Sequence, residues 1–147
     1  MTDPIDRFVG KYQFLSNFWR CKIRYLGKDY PSVEHAFQAA KAVNDPDRET
    51  IRKLIQAKDA KRLGSKIKLR KDWESVKLNI MEMLIEQKFK DPELQGWLLE
   101  TGDAELVEGN HWGDVFWGRC DGEGLNHLGR ILMKVRQNIQ DKSEVSP

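Results

Sequence analysis

Proline punctuation limits what this chain can fold into. Pro31, Pro46 and Pro92 each sit beside a helix-capping residue, in Pro31-Ser32, Asp45-Pro46 and Asp91-Pro92. Proline lacks the amide hydrogen that a helix interior needs, yet fits the first turn. There, Ser and Asp side chains accept from orphan amides. These steps predict helices over 32–43, from Asp45 through Ile51, Leu54 and Ile55, and from Asp91 to near Gly102. Further helices are expected after Asp59 to near Gly64, from Asp72, and from Asn126. Apolar residues recur at helical spacing in them: Val33, Ala36, Phe37 and Ala40 in one; Trp73, Val76, Ile80, Met83 and Leu84 in another; Leu128, Ile131, Leu132, Val135 and Ile139 in the last. Strand signals are few. Cys21, Ile23 and Tyr25 alternate with Lys22 and Arg24 ahead of a turn at Gly27-Lys28, a hairpin over 20–31. Glu105–Glu108 is a second short strand. The fold class is α+β: a mainly helical single domain over residues 1–140 with a small β-hairpin or sheet. The polar tail 141–147 is expected to fray.

Charge is where composition matters. The formal net charge is only +2 over 147 residues, but it is segregated. Residues 58–71 hold seven Lys/Arg and one acid, whereas 91–126 hold nine acids and one Arg. No apolar run approaches the ~18–20 residues of a membrane helix, and the N-terminus lacks the pattern of a secretory leader. Cys21 and Cys120 are far apart, and His35, His111 and His127 form no metal-spaced set. Free thiols, a cytoplasmic setting, no metal and no cofactor are the expectation.

Four stretches could carry chemistry. In the first, Glu34, Gln38 and Lys41 share a helix face, with Glu34 and Lys41 about 10.5 Å apart along the axis. That face is either a solvated ladder or a surface a ligand bridges. In the second, Gly109–Gly118 sets Trp112, Phe116 and Trp117 among glycines and Asp114. It is either a plug in a small core, with Asp114 closing a turn, or a stacking surface for a base or sugar. In the third, Phe14 and Phe18 bracket Ser16 and Asn17, as a core strand ending in a turn or as hydrogen-bond donors in an aromatic-walled cleft. The fourth is the basic strip: Lys58, Lys61, Arg62, Lys66, Lys68, Arg70 and Lys71. It is a solvated face or a phosphate-contacting one, and alternation of Lys66, Lys68 and Arg70 with Ile67 and Leu69 would put three charges on one side of an extended segment.

Six motifs occur in order: Phe-Leu-Ser-Asn-Phe (14–18), Tyr-Pro-Ser-x-Glu-His-x-Phe-Gln-Ala-x-Lys (30–41), Leu-Arg-x-x-Trp (69–73), Gly-x-x-x-Leu-Val-Glu (102–108), Asp-x-x-Trp-Gly (114–118) and Gly-x-Gly-x-Asn-x-Leu-Gly-x-x-Leu-Met (122–133). Together they resemble the NADAR, or YbiA-like, family. The resemblance implies an N-glycosidase that removes ADP-ribose from guanine in DNA or RNA. Its partner would be a cognate ADP-ribosyltransferase toxin, with this chain as the antidote. A second activity in such families is hydrolysis of a phosphoribosylamino-pyrimidine intermediate of riboflavin synthesis. A non-catalytic ADP-ribose reader is the alternative of a different class.

The resemblance also implies a lysine that forms an imine with the ribose carbon; at the matching position stands Lys41, with Glu34 as acid/base. A lysine nucleophile must be partly neutral near pH 7; burial lowers its pKa and a nearby carboxylate raises it. On this reading Asp114 orients ribose hydroxyls or a water. Phe18, Trp73 and Trp117 wall the pocket. Ser16, Asn17, Gln38 and Asn126 hold ribose or phosphate, Arg70 meets pyrophosphate, and Gly118 lets the backbone come close.

Overall fold

The computed structural model describes residues 2–145, which form two compact units. One spans residues 17–88; the other combines the N-terminal residues to Ser16 with those from Phe89 onward.

The 17–88 unit begins with the hairpin: β1 (Ile23–Tyr25) pairs antiparallel with β2 (Lys28–Tyr30). The turn lies at Leu26-Gly27, one residue earlier than expected, and both have positive φ, 49° and 80°. That pair of left-handed residues matches the twist of a two-residue hairpin turn. The exposed edge of β1 is covered by Gln87, whose side chain accepts from Arg24 N–H at 2.5 Å and donates to its carbonyl at 2.8 Å. An amide side chain thus stands in for a third strand.

Helix α1 (Val33–Ala40) starts where Ser32 was expected to cap it, the hydroxyl accepting from His35 N–H at 3.1 Å. It ends at Ala40, with Lys41 as the C-cap, short of the expected 43. All eight residues are buried, so the Glu34–Gln38 face is not a solvated ladder. His35 pins this helix: Nδ1 lies 2.7 Å from the Ser32 hydroxyl and Nε2 2.8 Å from the Leu54 carbonyl. Burial holds its pKa below the ordinary value, so the ring is neutral, donates from Nε2 to Leu54 and accepts from Ser32 at Nδ1.

Helix α2 (Asp45–Arg52) is capped by Asn44 rather than Asp45, because the Asn44 side chain accepts from Asp47 N–H at 2.9 Å. Helix α3 (Ala57–Gly64) begins two residues before Asp59, which sits in its first turn. Helix α4 (Trp73–Lys88) starts after Asp72 as expected, but its buried face is Trp73, Met81, Leu84, Ile85 and Lys88. Met83, assigned inward from the sequence, is 46% exposed. Apolar residues lie on several sides of α4, so periodicity alone could not choose the face.

In the other unit, a 3-10 turn (Gly10–Leu15) buries Phe14 edge-on against Phe89 and Trp97, with centroids 6.4 and 5.5 Å away. Helix α5 (Pro92–Glu100) is capped by Asp91, which accepts from Leu94 N–H at 3.0 Å. The strand expected at Glu105–Glu108 reduces to one parallel bridge between Ile5 and Leu106. A two-residue parallel ladder, β3 (Gly109–Asn110) with β4 (Arg119–Cys120), follows. Helix α6 (His127–Val145) buries Leu128, Ile131, Leu132 and Val135, and continues through the first residues of the tail expected to fray. Residues 146 and 147 of that tail lie outside the described residues. The buried Arg136 donates to Thr101 Oγ1 and to the Ala104 carbonyl, both at 2.8 Å, tying α6 to the end of α5. Among the described residues no helix is long and apolar enough to cross a membrane, and no cluster could hold a metal ion.

Candidate active site

The 17–88 unit brings together Asn17, Glu34, Gln38, Lys41, Arg70 and Trp73. Burial of all of α1 leaves Glu34 only 7% exposed. A buried carboxylate needs donors, and Gln38, one turn on, supplies one: its Nε2 donates to Glu34 Oε1 at 2.7 Å. At the start of the helix, Glu34 N–H donates to the Asn17 carbonyl at 3.0 Å. The Asn17 side chain is buried too, with Nδ2 3.5 Å from Met81 Sδ and Oδ1 lacking a hydrogen-bond partner. Asn17 was expected as a donor; its open group is an acceptor.

Lys41 lies at the C-terminal end of the same helix. Its Nζ sits 5.9 Å from the centre of the Phe37 ring, which in turn packs against the buried Trp73 at 5.0 Å. Burial pulls the Lys41 ammonium below the ordinary lysine range. Glu34 opposes this, while Lys61 and Lys77 push the same way as burial. Both expected influences are thus present, joined by two like charges not anticipated. Lys77 is one turn after Trp73 on α4, and that spacing is the signal that could have found it.

The basic strip is stitched to this position. Arg70 N–H donates to the Lys41 carbonyl at 2.8 Å, and Ala42 bridges Leu69 in antiparallel fashion. Lys58, Lys61, Arg62, Lys66, Lys68 and Lys71 are exposed. The expected one-sided alternation does not hold, because Leu69 is 46% exposed beside the charges. The Arg70 guanidinium was expected to face pyrophosphate. It instead grips Asp72 through two bonds, 2.6 and 2.9 Å, which also raise its pKa. An anion there would have to share it. Phe18 is 43% exposed.

The remaining predicted residues belong to the other unit and serve its loops. Asp114 Oδ1 accepts from the amides of Phe116 and Trp117 at 3.1 and 2.9 Å, so this carboxylate closes a turn. Trp117 is half-buried against Phe116, their ring centres 4.8 Å apart. A Cβ at Gly118 would lie 2.0 Å from the Glu108 carbonyl, so this glycine permits backbone contact within the fold. The buried Asn126 donates to the Leu106 carbonyl and accepts from Glu108 N–H, each at 3.0 Å. With φ at 53° it locks the loop ahead of α6 through its side-chain amide, in place of the expected helix cap. Ser16 ends the 3-10 turn. Trp112, one of the three aromatics of the 109–118 loop, is more than half exposed.

Comparison with known proteins bears on this arrangement. The NADAR domain pattern matches residues 7–140. The chain is 39% identical over 146 residues to N-glycosidase YbiA of Escherichia coli strain K12, covering 95% of this chain and 91% of that protein. It is 39% identical over 149 residues to an N-glycosidase of Nostoc punctiforme, covering 96% and 94%. A riboflavin biosynthesis protein of Vibrio vulnificus is 39% identical over 132 residues; the chain spans 36% of that protein's length. The NMR structure of Escherichia coli YbiA matches with a TM-score of 0.86 at 36% identity, covering 100% of this chain and 91% of that one. The expected mainly helical architecture with small two-stranded sheets is therefore that of YbiA, and the chain belongs to the NADAR family, among its YbiA-like N-glycosidases.

Proposed function

We propose that this protein hydrolyses the bond between ribose C1 and the exocyclic amine of guanine in ADP-ribosylated DNA or RNA, with Lys41 as nucleophile. The observation that carries the reading is a lysine whose pKa is lowered by burial, on the same buried helix as the carboxylate of Glu34. A ribose joined to an exocyclic amine is an N,O-acetal. Glu34 protonates the ring oxygen, the ring opens and C1 becomes an iminium carbon. The neutral Lys41 amine adds to C1, and the guanine amine leaves with a proton. The nitrogen lone pair then forms a protein imine, which water hydrolyses to free ADP-ribose and regenerate the amine. Burial beside the Phe37 ring lowers the pKa of this amine, which makes its neutral form more accessible. The exposed lysines next to Lys41 favour a polyanionic substrate, since each phosphate contact adds salt-dependent affinity. A cognate ADP-ribosyltransferase toxin would supply such a lesion, with this protein as the antidote.

Borohydride trapping tests the lysine role. Incubation with ADP-ribosylated guanosine in DNA should give a stable adduct on Lys41 in the wild type and none in Lys41→Ala. Equal adduct in the two proteins, or none in the wild type, refutes it.

A second reading has its own support: relatives in Vibrio vulnificus and maize are named riboflavin biosynthesis proteins. The same imine chemistry would then act on a phosphoribosylamino-pyrimidine. Release of base from that compound alone, and not from ADP-ribosylated guanosine, would favour it.

A further inference from the structure

Gly64 ends α3 in ordinary helical backbone, without the positive φ that requires glycine. A helix position with normal geometry is better served by alanine, so the reason for glycine lies in what it faces. It faces Gln38: a Cβ built on Gly64 would lie 1.9 Å from Gln38 Oε1, 2.7 Å from Cδ and 3.0 Å from Cβ. Turning the amide would not clear the contact, because the root of the side chain is also close. Gln38 is only 5% exposed, so it has nowhere to go. Its Oε1 is buried without a hydrogen-bond partner and occupies the space that a side chain at position 64 would fill. The opposite end of the same amide donates to Glu34.

We propose that Gly64 is a positioning residue for the Glu34 carboxylate, acting through Gln38. The missing side chain is the space Gln38 occupies in order to donate to Glu34. This rests on the reading of Glu34 as acid/base, since a carboxylate that hands over a proton must be held in one orientation. Any side chain at position 64 drives Gln38 off its bond and leaves Glu34 without that donor.

The test compares wild type, Gly64→Ala, Gln38→Ala, the double variant and Glu34→Gln. Turnover is measured on ADP-ribosylated guanosine and on the phosphoribosylamino-pyrimidine, with side-chain amide NMR spectra and melting temperatures alongside. Gly64→Ala should keep or raise the melting temperature, move the Gln38 side-chain amide signals and lower kcat by about tenfold or more with KM little changed. In the Gln38→Ala background the same substitution should change kcat by less than about twofold, because residues acting as one unit are not additive. Unmoved Gln38 signals, or the same loss of kcat in both backgrounds, overturns the proposal. If Gly64→Ala does not fold, recovery of folding in the double variant supports the clash with Gln38, and continued failure refutes it. Should Glu34→Gln turn over like the wild type, the acid/base reading fails; the NMR signals still decide whether Gly64 sets Gln38.

Discussion

Lys88 isolates the physics on which the proposed role of Lys41 depends. Both lysines belong to the 17–88 unit and both are depressed by burial, but Lys88 has no part in the proposed chemistry. It ends α4 with 3% exposure, and burial pulls its pKa from 10.5 to about 8, with Cys21 opposing. Because the folded value lies below the unfolded one, the unfolded chain holds the proton more tightly. The penalty is full below about pH 8, shrinks as pH rises through the window from about 8 to 10.5, and vanishes above it. At ~1.36 kcal/mol per pKa unit the penalty at pH 7 is about 3 kcal/mol, falling to about 1 kcal/mol at pH 10. Lys88→Met keeps an unbranched apolar stem of similar reach and removes the charge. The variant should therefore be more stable than the wild type at pH 7 by up to about 3 kcal/mol, with the gain reduced to about 1 kcal/mol at pH 10. Urea unfolding of both proteins at the two pH values measures it. A Met variant less stable than the wild type at pH 7, or a gain that does not shrink at pH 10, would refute the reasoning. The ammonium would then be better solvated inside the fold than in water.

Other consequences are open to test. Adduct formation at Lys41 should speed up with rising pH until its folded pKa, which lies below 10.5, is passed. Replacing Lys61 and Lys77 by Gln removes two charges that lower that pKa, so the limb should move to higher pH and the rate at pH 7 should fall. Turnover on ADP-ribosylated DNA should drop steeply with salt, and Lys58, Lys66 and Lys68 changed together to Gln should flatten that slope while turnover of the free nucleoside holds. Arg136→Leu breaks two buried hydrogen bonds and should cost about 2–4 kcal/mol in denaturant melts, with α6 losing its tie to the end of α5.

Local chemistry made much of this protein legible without coordinates. Ser32 and Asp91 cap the helices they were expected to cap, because their side chains accept from orphan amides of the first turn, whereas beside Pro46 that place is taken by Asn44 and not Asp45. The hairpin and the burial of the α6 stripe follow in the same way from period and turn chemistry. Where apolar residues surround a helix, the pattern runs out, and packing alone selected Met81 and Ile85 of α4 over Met83.

The site divides along the same line. Glu34, Gln38 and Lys41 share a helix face by spacing alone, but spacing could not say whether that face is wet. Only the packing of α1 on every side buries it, and burial turns a polar ladder into a carboxylate that accepts from Gln38 and a lysine of lowered pKa. Asp114, Asn126 and Gly118 show the reverse. Their residue types suit a ligand as well as a loop, and tertiary contacts spend them on the loop, through two amides, two backbone partners and one close carbonyl. Gly64 read locally only as the end of a helix, and nothing in its own backbone asks for glycine; its reason is Gln38, distant in sequence and close in space.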